Sequence, residues 1–192
     1  MSDELIVRHC APTLAGLKTG TVFGCPYSDR KELILEVRSL NRRLAPKGVR
    51  VIPLRLSAGR VLLYIYRPDR LANDLASEDA AGILEEYGYC VKDSGKCVVR
   101  LSRRLHESEE FPHEIGLFLG YPIEDVKGFR KFGGSGCKMC GYWKVYDDVE
   151  QARRIFDSYD KCREFTAAQI RAGYSILQVV GMKHLCTSQM CV

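Results

Sequence analysis

The sequence has no apolar run near the roughly 18 to 20 residues that a membrane-crossing helix needs, which argues against a helical span. Its start, MSDELIVRHCAPTLAG, carries two early acids and no basic stretch ahead of a long apolar region. That is not the form of a secretory signal. There is no HExxH, because Leu117 stands where the second histidine would fall after His113 and Glu114, so the zinc-protease pattern fails. GGSG at 133–136 lacks the lysine and the following Ser/Thr of a phosphate-binding loop. Gly16, Gly20 and Gly24 recur every fourth residue but form no nucleotide fingerprint. No internal repeat is visible, and helical and strand-like segments do not alternate regularly, which speaks against a doubly wound parallel sheet. There is a single tryptophan, Trp143.

What is present fits a globular chain. With 192 residues, 46% hydrophobic and 28% charged, it can bury one full core. Net charge is +5, yet the basic pairs Arg42–Arg43, Arg103–Arg104 and Arg153–Arg154 are scattered among acids. A nucleic-acid binder concentrates its charge and interleaves aromatics, so no nucleic-acid partner and no membrane partner are expected. Nine cysteines are the anomaly. An odd count without an export signal argues against a disulfide framework and for a reducing, cytoplasmic setting.

Local signals place most elements. Ala11-Pro12 reads as a helix start running to about Lys18 and stopping at Gly20. Ser28 reads as the cap of a helix through about Leu44, with Leu33, Val37, Leu40 and Leu44 on one stripe. VRVIPLRL and RVLLYIY around Ser57-Ala58-Gly59 predict a β-hairpin, with Pro53 marking an edge or a bulge. Ser77 starts a helix that Gly88 closes, and Val98, Leu101 and Leu105 have helical spacing after the turn at Asp93-Ser94-Gly95. Pro112 and Pro122 each open a short helix, ending at Gly120 and about Lys131. GYWKVY reads as a strand, and an amphipathic helix follows from about Asp148. The expected fold class is α+β: one domain over 1–175, several helices packed on a small, mostly antiparallel sheet, with a loosely held tail at 176–192.

The residues able to do chemistry cluster in a few places. His9-Cys10, just ahead of the predicted helix start, gives a thiol two reasons to ionise, the peptide dipoles and a charged imidazole. His113 could serve as general base for a cysteine distant in sequence. Glu114 beside it points about 100° away on a helix, so the two would not face one target together. Cys137-Lys138-Met139-Cys140-Gly141 is the sharpest local signal: CxxC followed by glycine is half of a zinc ribbon, since the tight turn lets two thiolates reach one tetrahedral metal. A second half would come from Cys90 and Cys97, or from His184, Cys186 and Cys191, neither with the usual close spacing. A thioredoxin-like motif would put CxxC after a strand, whereas here it precedes one. Cys25 and Cys162 read as packing residues.

HCAPTLAGLKTG, FPHEIGLFLGYPIEDVKGF and CGYWKVYDD, in that order, resemble a family of uncharacterised bacterial proteins, a domain of unknown function frequent in anaerobes. The similarity covers about residues 5 to 165. It implies a single-domain cytoplasmic protein of an anaerobic bacterium, and it carries over no activity, ligand or catalytic residue.

Three readings follow. The first is a Cys/His site, from His9, Cys10 and His113 with Cys140 as a further candidate, that binds a transition metal, zinc or iron, or performs thiol redox chemistry, Cys137 and Cys140 being the candidate metal ligands. The second is a cysteine-nucleophile hydrolase or transferase, with Cys10 attacking and His113 as base. The third is a non-enzymatic module whose aromatic GYWKVY strand docks a protein partner.

Overall fold

A computed structural model describes residues 2–108 and 110–181. The α+β class holds: a three-stranded antiparallel sheet of order β1-β3-β2, a two-stranded sheet, and helices over most of the remaining described chain. The chain divides into two compact units, one of residues up to Arg67 together with those from Asp157, the other Pro68–Phe156.

In the first unit, helix α1 spans Asp3–Ala15, so the expected start at Pro12 is corrected. Ser2 accepts from the Leu5 amide, Asp3 and Glu4 sit favourably in the first turn, and Pro12 lies inside the last turns. A proline there removes only one helical bond near the end. The true stop is Gly16, whose φ of 83° favours glycine, with Leu17 and Lys18 amides returning to the Pro12 carbonyl. Buried Arg67 then donates to the Thr13, Leu14 and Lys47 carbonyls, placing a cation on the negative end of α1.

Strand β1, Gly20–Pro26, pairs with β3, Arg60–Tyr66, which also pairs with β2, Arg50–Ser57. The hairpin is as expected, and Pro53 does both things proline can do: β2 is an edge strand, and its register shifts between Pro53 and Arg55. Helix α2, Arg30–Leu44, buries Leu33, Val37, Leu40 and Leu44, with Asp29 rather than Ser28 capping the Glu32 amide. Asn41 holds this helix to β2 by bonding both the carbonyl and the amide of Val51. The core of this unit is aliphatic, from Ile6, Leu14, Leu44, Leu63 and Ile65 to Ile176 and Val180. The last two belong to α9, Ile176–Gly181, at the place where the tail was expected to begin.

The second unit opens with α3, Pro68–Leu75, and α4, Glu78–Glu86, capped by Ser77. Helix α5, Ser94–Glu107, is capped by Asp93 and buries Val98, Leu101 and Leu105. Short α6, Ile115–Phe118, and α7, Ile123–Phe132, follow Pro112 and Pro122. Two-residue strands β4, Met139–Cys140, and β5, Lys144–Val145, form the second sheet. Helix α8, Val149–Arg171, contributes its first residues to this unit and the rest to the other.

Candidate functional site

A hairpin of two-residue strands cannot hold itself in water. Backbone bonds Lys138 N to Val145 O (2.8 Å) and Gly141 N to Trp143 O (3.0 Å) close it, and side chains from elsewhere in the unit fix it. Asp125 on α7 is buried and takes three donors: Trp143 Nε1 at 2.6 Å on one oxygen, the Tyr146 amide at 2.7 Å and the Asp147 amide at 3.1 Å on the other. Charge-assisted bonds of this kind are about twice as strong as neutral ones. Tyr121 donates to the Tyr142 carbonyl at 3.0 Å, and Trp143, 7% exposed, stacks on Tyr121 and meets Phe156 edge-on at 4.5 Å.

Glycine is required at two of these contacts. A Cβ at Gly141 would stand 2.2 Å from the Phe156 ring, and one at Gly128 would stand 2.4 Å from Tyr146. Lys144 and Lys138 reach back to the Gly134 and Asp147 carbonyls, both at 2.8 Å.

On this rigid frame the Cys137 and Cys140 sulfurs lie 3.6 Å apart, Cys140 exposed and Cys137 partly so. The proton that Cys140 shares with Cys137 raises the Cys140 thiol above its ordinary value; desolvation and the Cys137 charge add to this, while Lys144 opposes it. Tyr146 is pushed up too, first by burial and then by the nearby Cys137. In a tetrahedral zinc thiolate with bonds near 2.3 Å, neighbouring sulfurs stand about 3.8 Å apart. The pair is therefore spaced to share one metal ion, and is also close enough to form a disulfide after a small movement. No group of three or more His, Cys, Asp or Glu able to hold a metal occurs among the described residues.

The other sequence-predicted residues lie elsewhere. Cys10 is within α1, not at its N-terminus, and has no solvent exposure. The dipole argument for its ionisation is thus corrected: burial pushes the thiol far up, and Lys18 only partly opposes this. Lys18, itself buried, is pushed down to about 8 by desolvation. His9 lies flat on Phe23, ring centroids 4.8 Å apart, and burial followed by Arg8 and Arg163 lowers it. His113 is exposed, its ring edge-on to Phe129 at 5.1 Å, and it belongs to the second unit whereas Cys10 belongs to the first.

Glu114 is fully buried, with Tyr89 Oη donating at 2.8 Å and Arg104 Nε 2.6 Å away, both on Oε1. Cys90 is exposed, but Cys97 is buried and points its S–H at the Cys90 carbonyl, 3.2 Å away. Burial raises Cys97 to about 11, so this pair does not offer two ready thiolates. Cys25 and Cys162 are buried. His184, Cys186 and Cys191 lie outside the described residues.

Against known protein families, the chain matches the one described as Protein of unknown function (DUF3793) over residues 6–180, nearly its whole length. The chain belongs to this family. No curated protein and no solved structure matches it. Whatever site this DUF3793 member has rests on its own residues. The residue that sequence reading missed is Asp125, which sits within the family-like segment YPIEDVKGF but carries no local motif. Its role arises only when α7 meets the hairpin.

Proposed function

We propose that the Cys137–Cys140 dithiol is the working group of this protein and binds a thiophilic transition metal, zinc or iron, as one half of a tetrahedral thiolate site. The observation that supports this reading is the 3.6 Å separation of two accessible sulfurs on a hairpin held by Asp125, Trp143 and two obligatory glycines. A pair of thiolates on a preorganised turn loses little freedom when the metal arrives. Lys144 offsets part of the charge that two thiolates bring. Soft sulfur donors select zinc or iron over magnesium or calcium.

A second reading, dithiol–disulfide exchange, is favoured by the shared proton. Cys137 would attack a substrate disulfide and Cys140, holding its proton at neutral pH, would resolve the mixed disulfide. Two electrons and two protons then pass from the dithiol to the substrate, which leaves as two thiols.

Full burial of Cys10 weighs against the hydrolase reading, and burial of Trp143 removes that ring from any docking surface. Elemental analysis of anaerobically purified protein, with free thiols counted on the same sample, tests the metal reading. Zinc or iron approaching one half or one per chain, lost in Cys137→Ser/Cys140→Ser, is expected. Metal content at trace level, or unchanged in the double variant, overturns it. Catalysed reduction of a small disulfide by the metal-free protein, lost in the same variant, would then select the second reading.

A further inference from the structure

A second feature of the Pro68–Phe156 unit is independent of the dithiol. Between the end of α5 and the start of α6 lies a cavity of about 200 Å³ whose lining includes Tyr87, Arg104, Glu107, Phe111, His113 and Glu114. Glu114, at its floor, has no exposure, and both of its close partners, Tyr89 Oη and Arg104 Nε, approach the same oxygen, Oε1. Its Oε2 is buried and has no hydrogen-bond partner among the described residues. Buried carboxylate oxygens in folded proteins are nearly always bonded, so a missing donor is expected to complete this one.

The charge of the lining identifies that donor. Three carboxylates, Glu107, Glu110 and Glu114, face one guanidinium, Arg104. Glu107 shares Arg100, 3.2 Å away, which leaves Glu110 as surplus negative charge at the rim. Apolar surface comes from Pro112 and from Phe111, whose ring is held 44% exposed at the mouth. The volume is below the roughly 300 Å³ of pockets for drug-sized ligands, so only a few heavy atoms fit.

We propose that this cavity binds a small primary alkylammonium ion, its N–H donated to Glu114 Oε2 and its alkyl chain laid against Phe111 and Pro112. An ammonium supplies the donor that Oε2 lacks and the charge the rim asks for, and its short chain uses the apolar wall. An anion would meet the rim acids.

Titration of the full-length protein with n-butylammonium chloride, followed by the amide resonances of Phe111, His113 and Glu114, tests this, with n-butanol and sodium butyrate as neutral and anionic counterparts. Saturable shifts with the ammonium ion, and affinity at least about ten-fold weaker for the other two, are expected. Glu114→Gln keeps the Tyr89 bond and removes the charge, and is expected to weaken binding by about ten-fold or more. Should that buried variant fail to fold, Glu107→Gln/Glu110→Gln at the exposed rim is expected to weaken it a few-fold. No saturable shift with the ammonium ion, equal binding of butanol, or undiminished affinity in the variant that folds overturns the proposal.

Discussion

Cys10 and the Cys137–Cys140 pair carry the same functional group in opposite surroundings. Cys10 stands beside a histidine in sequence and near a lysine in space, yet it is enclosed by α1 and the aliphatic core, and burial holds its thiol protonated. Cys137 and Cys140 stand on a hairpin that is anchored from below and open above, with their sulfurs in contact. Reactivity is therefore set by the wall around a thiol more than by its neighbours in the chain. A charged or ionisable neighbour matters only where the thiolate can be solvated or paired.

The sharpest way to break this comparison is to label the thiols. At pH 7.5 with an excess of an aromatic disulfide reagent, Cys137 and Cys140 are expected to react at rates typical of accessible thiols. Cys10 must await opening of the core, which slows it by a factor of about 10³ or more. Mass spectrometry of peptides from partly labelled native protein reads the order. Labelling of Cys10 within ten-fold of Cys140 would remove the contrast.

The next largest effect concerns what holds the hairpin. Asp125→Ala deletes three donors' partner and leaves a buried indole N–H unsatisfied, at a cost of about 3 kcal/mol or more. Urea unfolding followed by Trp143 emission checks this. A midpoint close to that of the wild type would mean that the aromatic packing alone fixes the turn.

Lys18, close to Cys10, gives a test in pH. Its value falls from 10.5 when unfolded to about 8 when folded, because burial disfavours the ammonium. Below about pH 8 both states carry the proton, and folding suffers the full penalty. Between about 8 and 10.5 the unfolded chain binds more protons than the folded one, so stability from this group rises with pH, by about 3 kcal/mol in all. Cys10 acts oppositely above the ordinary thiol range, since the folded state keeps its proton there. The useful quantity is thus the difference between wild type and Lys18→Met across pH 7.5 to 10.5. Parallel curves would show that the folded amine is solvated.

Legibility in the sequence followed how local each signal was. The α2 stripe, the Ser77 helix start, the helical spacing of Val98, Leu101 and Leu105, and the edge or bulge marked by Pro53 were readable because period, cap and proline act within a few residues, whereas Asp93 read as part of a turn and proved to cap α5. β1 was not, since GTVFGCP with its two glycines and a proline looks like a turn until β3 pairs with it along its whole length. α3 was missed because its eight residues follow β3 with only Arg67 between. α1 was misplaced because Pro12 resembles a helix start more than Ser2 does, and only the Ser2 cap together with the Gly16 stop corrects it. At the site, the CxxC spacing pointed to the dithiol. Asp125 could not be found that way, since its three donors come from residues 18 to 22 positions away.

The smallest expected effect is also the most discriminating. Cys137→Ser/Cys140→Ser changes two exposed or half-exposed atoms on a turn already fixed by Asp125, Tyr121 and Phe156. Stability of the metal-free protein should move by less than about 0.5 kcal/mol, as for surface substitutions in general. Cys10→Ser places a hydroxyl in an aliphatic core and should cost about 1 to 3 kcal/mol unless it finds an acceptor. Thermal unfolding with a chelator present compares the two variants directly. If the double serine variant proves the more destabilised, the hairpin thiols contribute to packing, and an evident alternative to their chemistry would be at hand. If Cys10→Ser is, then the hairpin spends well-anchored structure on two thiols that stability does not need, and that is the physical ground for assigning them a function.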